Sequence, residues 1–96
     1  MKINLKSLHF KASDQLKEFV EEKVRKLFHL NEEILSAEIT LFANDIKIKR
    51  NKVCEIRLVV PGYDDFVKRE AASFEEAVLD AVAALQKILR RKKDKH

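Results

Sequence analysis

"KVCEIRLVVPGYDDFVKREAASFEE", residues 52–76, decides the fold, because within it the chain alternates, turns, and then changes to a helical period. Cys54, Ile56, Leu58 and Val60 alternate with Val53, Glu55, Arg57 and Val59, the period of two that lays one side of a strand on a core. Pro61 and Gly62, the chain's only proline and only glycine, mark a turn. The strand is therefore expected to double back into a partner near "FVKREAA", residues 66–72. Alternation alone does not assign the inward side chains of that partner, since Phe66 and Val67 are adjacent and so are Ala71 and Ala72. Ser73 then opens "SFEE", a capping box with Glu76 three residues on. Ala77, Val78, Ala81, Val82, Leu85, Ile88 and Leu89 carry the helical spacing to about residue 92.

Upstream, Ile3 and Leu5 alternate with Lys2, Asn4 and Lys6, which predicts a half-buried strand. Ser13 is placed to cap a helix over about 13–29, where Leu16, Phe19, Val20, Val24, Leu27 and Phe28 share one face. Residues 35–43, "LSAEITLFA", return to period two, with Ala37, Ile39, Leu41 and Ala43 opposite Glu38, Thr40 and Phe42. A polar connection, "NDIKIKRN", follows, and its Lys47, Lys49 and Arg50 form a small basic cluster with Lys52. The order is β-α-β-β-β-α, without internal repeat or linker. It predicts an α+β two-layer sandwich: one four-stranded sheet with both helices on one face and the other face open to solvent.

Ninety-six residues hold one domain with one modest core, and 46% hydrophobic with 38% charged residues is a globular composition. No apolar run approaches the roughly 20 residues that span a bilayer, and lysines interrupt the amino terminus where a signal peptide would be apolar. A soluble, cytoplasmic protein is expected. The single cysteine excludes an internal disulfide and suits a reducing compartment. Cys54 reads as a small buried hydrophobe on its strand. His9, His29 and His96 each stand alone, giving neither a base for a thiol nucleophile nor metal-ligand spacing. No acid/base pair or ligand cluster is visible, so an enzyme, a cofactor, a metal and a small-molecule substrate are all disfavoured.

The net charge of +4 is concentrated. Residues 84–96 carry six Lys/Arg against one acid, a balance of +5, while residues 1–83 carry 14 against 15, a balance of −1. Compensation of a helix dipole is worth only about 0.3–1 kcal/mol per charge and needs one or two cations. A neutral body with a cationic end points instead to a polyanionic partner. Lys87, Arg91 and Lys95 follow one another at i, i+4 on one flank of the second helix, with Arg90 beside them. On the first helix Lys23 falls inside the apolar stripe, between Phe19 and Leu27, with Lys26 on its border. Such a lysine must reach out along a seam, which core packing does not require. The chain has no glycine-rich phosphate loop, no zinc-finger spacing, one tyrosine and no tryptophan, so recognition of the backbone and shape of folded RNA fits better than base readout.

The element order, the opening "MKINLKSLHFKASDQLKEFVEEKVRKL" and the closing "KREAASFEEAVLDAVAALQKILRRKKDK" together resemble the ribosome hibernation promoting factor family, also called ribosome-associated translation inhibitors. The resemblance implies a single ribosome-binding domain over residues 1–96, with a basic end at about 87–96. It would occupy the channel of the small ribosomal subunit where mRNA and tRNA sit, and would inhibit translation by idle ribosomes. The implied partners are the small subunit and its rRNA, with no membrane, for a protein that is monomeric when free. The positions matching the family's rRNA contacts are Lys23, Lys26, Lys87, Arg90, Arg91 and Lys93. Ser73, Glu75, Val78, Leu79 and Ala84 depart from residues common in the family's second helix. The chain resembles the short form, which lacks a second domain that pairs ribosomes. Two other readings stay open: a general RNA-binding domain using the same basic end, and a protein-interaction module using the open sheet face.

Overall fold

The computed structural model describes residues 2–44, 47 and 49–93. The elements run β1 (Lys2–Ser7), α1 (Asp14–Phe28), β2 (Ser36–Ala43), β3 (Lys52–Val60), β4 (Tyr63–Ala71) and α2 (Phe74–Lys93). The strands lie in sequence order in one sheet, β1 parallel to β2 and the remaining pairs antiparallel. The expected β-α-β-β-β-α sandwich is the fold observed. Part of the expected basic end, Asp94, Lys95 and His96, lies outside the described residues, as do Asp45, Ile46 and Ile48 of the β2–β3 connection.

Local chemistry sets the element ends. The Ser13 hydroxyl accepts from the Leu16 amide at 3.1 Å and starts α1. Ser73 Oγ accepts from the Glu76 amide at 3.2 Å, the capping bond that starts α2, and the Glu76 carboxylate returns to the Ser73 hydroxyl, accepting from it at 3.0 Å. Between β3 and β4, Val60 pairs with Tyr63 across a two-residue turn. Pro61 holds its own φ negative and Gly62 has φ +88°, the combination a type II turn demands.

One cluster of buried residues joins both helices to one sheet face. Val20, Val24, Leu27 and Phe28 of α1 meet Ala77, Val78, Ala81, Val82, Leu85 and Leu89 of α2 over Ile39, Leu41, Cys54, Ile56, Leu58 and Val67. Cys54 is fully buried there, and desolvation, with the charge of Glu55 adding to it, pushes its thiol up to about 12. The thiol therefore stays protonated and inert at neutral pH, as the strand alternation suggested.

β4 begins at Tyr63, three residues before the expected "FVKREAA" segment, and the pair left unassigned resolves with Val67 inward and Phe66 49% exposed. Acidic residues fill the early part of the strand because each finds a cation. Asp64 lies 3.8 Å from Arg57 on the open face, and Asp65 lies 2.6 Å from Lys92 beneath α2. On the open face Val53 is also fully buried, between its strand partners Phe42 and Glu70. There Asn44 donates to the Glu70 carboxylate and Arg50 to the Glu70 carbonyl, at 3.2 and 3.1 Å.

Candidate nucleic-acid interface

The chain path puts the two helices in the same sense. α1 returns between parallel strands, so it runs against β1, and α2 folds back along β4, which is parallel to β2. Their carboxyl ends consequently lie at one end of the sheet. The segment after α1, Leu30 to Glu33, shares a depression with Leu89 and Lys92 near the end of α2.

Neighbouring elements fix which flank of each helix faces where. Glu21, Arg25 and Phe28 line a depression with Ile3 of β1, an edge strand. The opposite flank of α1, carrying Phe19, Lys23 and Lys26, therefore borders α2, which packs on β3 and β4. On α2, Asp80, Ala83, Ala84 and Lys87 border Arg69 of β4, at the other edge of the sheet. Lys87 and Arg91, one turn apart, thus lie on the flank away from α1, while Arg90 points out between the two flanks. The cations therefore form one band across the helical layer, from Lys23 and Lys26 at the seam, over Arg90, to Arg91 and Lys87 at the β4 edge.

The members of the band differ in freedom. Lys23 has 25% of its side chain exposed, lies 5.5 Å from the Phe19 ring centroid, and sits 3.6 Å from the Glu22 carboxylate. It reaches out along the seam as its place in the stripe requires, with its charge partly balanced. Lys26, Lys87, Arg90 and Arg91 are exposed and make no ion pair among the described residues. Lys93 closes α2.

Lys92 behaves differently from its neighbours, and the charge count alone concealed it. At 100° per residue it falls between Ala81 and Leu85, inside the apolar stripe. Its ammonium lies 2.6 Å from Asp65 and 3.8 Å from the Tyr63 ring centroid, which fixes the last turn of α2 to the start of β4. Asp65 is 8% exposed and its Oδ2 has no hydrogen-bond partner among the described residues, so Lys92 is its main compensation. One charge of the basic end is therefore committed to the fold. Arg69, whose role the sequence did not reveal, adds a cation beside Lys87. The available signal was its alternation with Val67 and Ala71, which puts a cation on the helix-facing side of an edge strand.

No group of three or more His, Cys, Asp or Glu side chains suited to a metal occurs among the described residues. No helix there is long and apolar enough to cross a membrane.

Comparison with known proteins agrees with the architecture. The sequence model of the family described as sigma 54 modulation protein / S30EA ribosomal protein matches residues 3–96. Among solved structures, a ribosomal subunit interface protein from Coxiella burnetii superposes with a TM-score of 0.86 at 22% identity, covering 99% of this chain and 100% of that one. The Protein Y N-terminal domain of Thermus thermophilus superposes with a TM-score of 0.79 at 25% identity, covering 95% of this chain and 98% of that one. No curated protein matches the sequence significantly.

Proposed function

The chain belongs to the sigma 54 modulation protein / S30EA ribosomal protein family, and from that premise we propose that it is a ribosome hibernation factor. It binds the small ribosomal subunit in the mRNA and tRNA channel and inhibits translation by idle ribosomes. It does so as a single ribosome-binding domain, monomeric when free and cytoplasmic like its partner. Lys23, Lys26, Lys87, Arg90, Arg91 and Lys93 hold the rRNA backbone, and no catalytic step is involved.

The observation that carries this reading is the band of exposed cations on the helical layer, of which Lys26, Lys87, Arg90 and Arg91 have no acidic partner among the described residues. Unpaired cations that repel one another across a rigid helix face are the arrangement a phosphate backbone stabilises, through release of its condensed counterions. Phosphate contacts fix register and orientation without base readout, which suits a surface with few exposed aromatic rings.

The test is charge reversal at Lys87→Glu with Arg91→Glu. Both side chains are exposed and outside the core, so the fold should survive. Co-sedimentation with small subunits and inhibition of cell-free translation should both collapse. A double variant that inhibits as well as the wild type refutes the proposed mechanism.

A further inference from the structure

At the β4 end of the cationic band, opposite charges from the sheet and from α2 converge on one place. Arg69 of β4 and Asp80, Ala83, Ala84 and Lys87 of α2 line a shallow depression of about 240 Å³. That is below the usual size of a small-molecule pocket, and a sugar with its phosphate is the scale it admits. Two of its lining residues, Ala83 and Ala84, have short side chains, so a ligand can approach the helix backbone between the flanking charges. Arg69 donates from Nη1 to the Lys68 carbonyl at 3.0 Å and makes no ion pair among the described residues. Its remaining guanidinium donors have no partner among the described residues. Lys87 and Asp80 also make no ion pair there, although Asp80 shares the depression with both cations.

We infer that this depression binds one nucleotide of an RNA backbone, with the phosphate between Arg69 and Lys87 and the ribose 2′-hydroxyl on Asp80. A guanidinium and an ammonium on adjacent elements present a fork and a point charge to the same phosphate. A carboxylate beside a phosphate site repels the anion unless it has an acceptor's task of its own. The 2′-hydroxyl supplies that task, because an ionised carboxylate only accepts and the hydroxyl donates. The site would then prefer ribose to deoxyribose at this position. This inference rests on the ribosome-binding reading above. It extends the band from α2 onto the sheet, so that rRNA is held by a strand as well as by both helices.

The test measures binding of the full chain to purified small ribosomal subunits across a range of salt. Arg69→Ala should weaken affinity roughly tenfold and reduce the magnitude of the log-log salt slope by about one, with the unfolding temperature unchanged because Arg69 is exposed. Asp80→Ala should also weaken binding, by a few-fold, and leave the salt slope as it was. If Asp80 merely opposes the phosphate, its removal strengthens binding, and the ribose assignment is wrong. If Arg69→Ala binds with wild-type affinity and slope while Lys87→Glu with Arg91→Glu abolishes binding, the site is refuted and the ribosome-binding reading stands. If the wild type fails to bind small subunits at all, that reading itself fails.

Discussion

On the open sheet face, Arg57 lies 3.8 Å from Asp64 and 5.5 Å from the Phe66 ring centroid, and Lys68 lies 5.9 Å from the Phe42 centroid and pairs across the ladder with Glu55. On the outer side of α2, Lys87, Arg90 and Arg91 make no ion pair among the described residues. Both faces are polar and both carry cations, but the sheet answers its charges from neighbouring strands, where direct cross-strand partners stand about 5 Å apart. The helix concentrates like charges that only an external anion can answer. The proposed rRNA site therefore rests on the number of cations left without a local partner, not on the number a surface carries.

Neutralising two cations on each face breaks this comparison directly and should give the largest difference. Lys87→Gln with Arg91→Gln should weaken small-subunit binding by about 10- to 100-fold, as loss of two charge-assisted contacts does. Arg57→Gln with Lys68→Gln should leave affinity within about twofold. Equal losses on the two faces would mean that the helical layer is not the preferred face for the partner. The salt dependence sharpens the same point: if about five cations of the band meet phosphates, the wild-type log-log slope should be on the order of −3 to −5. The sheet-face variant should keep that slope, and the helix variant should lose roughly two of it.

A second contrast lies within one helix. Lys92 stands one residue from Arg91, yet its ammonium is committed to Asp65 while Arg91 makes no ion pair among the described residues. Lys92→Ala would leave a nearly buried carboxylate without its cation. Because the Lys92 side chain is itself 41% exposed, water recovers part of the loss, and a destabilisation of about 2 kcal/mol is expected. For a domain of this size that lowers Tm by roughly 10 °C. Replacing the pair together, Asp65→Leu with Lys92→Met, should recover most of the stability. A Tm for Lys92→Ala equal to that of the wild type would show that the contact contributes nothing.

These cases also mark what could be read from the sequence. The two serine caps, the period change and the Pro61–Gly62 turn are local signals, each resolved within a few residues, and they delivered both helices and the β3–β4 reversal. The inward side of β4 was not local. Asp65 is tolerated inside only because Lys92, 27 residues later, reaches it, and the stripe position of Lys92 was the one hint of that arrangement. The candidate site divides in the same way. The charge excess and the misplaced Lys23 were visible along the chain, but the sides on which Lys87 and Arg91 lie, and the adjacency of Arg69, depend on which edge of the sheet each helix covers.

The smallest effect is expected where the sequence was read most easily. Cys54→Ala removes one small side chain from the core and should cost on the order of 1 kcal/mol, measurable by denaturant unfolding. It should leave small-subunit binding unchanged well below Tm. Its pH dependence carries the sharper information. The thiol is held near 12 in the fold, against an ordinary value of 9.0, so the folded state binds this proton more tightly than the unfolded chain. The associated stability is fully present below pH 9 and is lost as pH rises toward 12. The informative quantity is the difference between wild type and Cys54→Ala, which isolates the thiol. The wild type should lose stability faster than the variant above pH 9. Parallel curves through that range would mean the thiol ionises freely in the fold, and a large loss of binding with the fold intact would mean that Cys54 does more than pack.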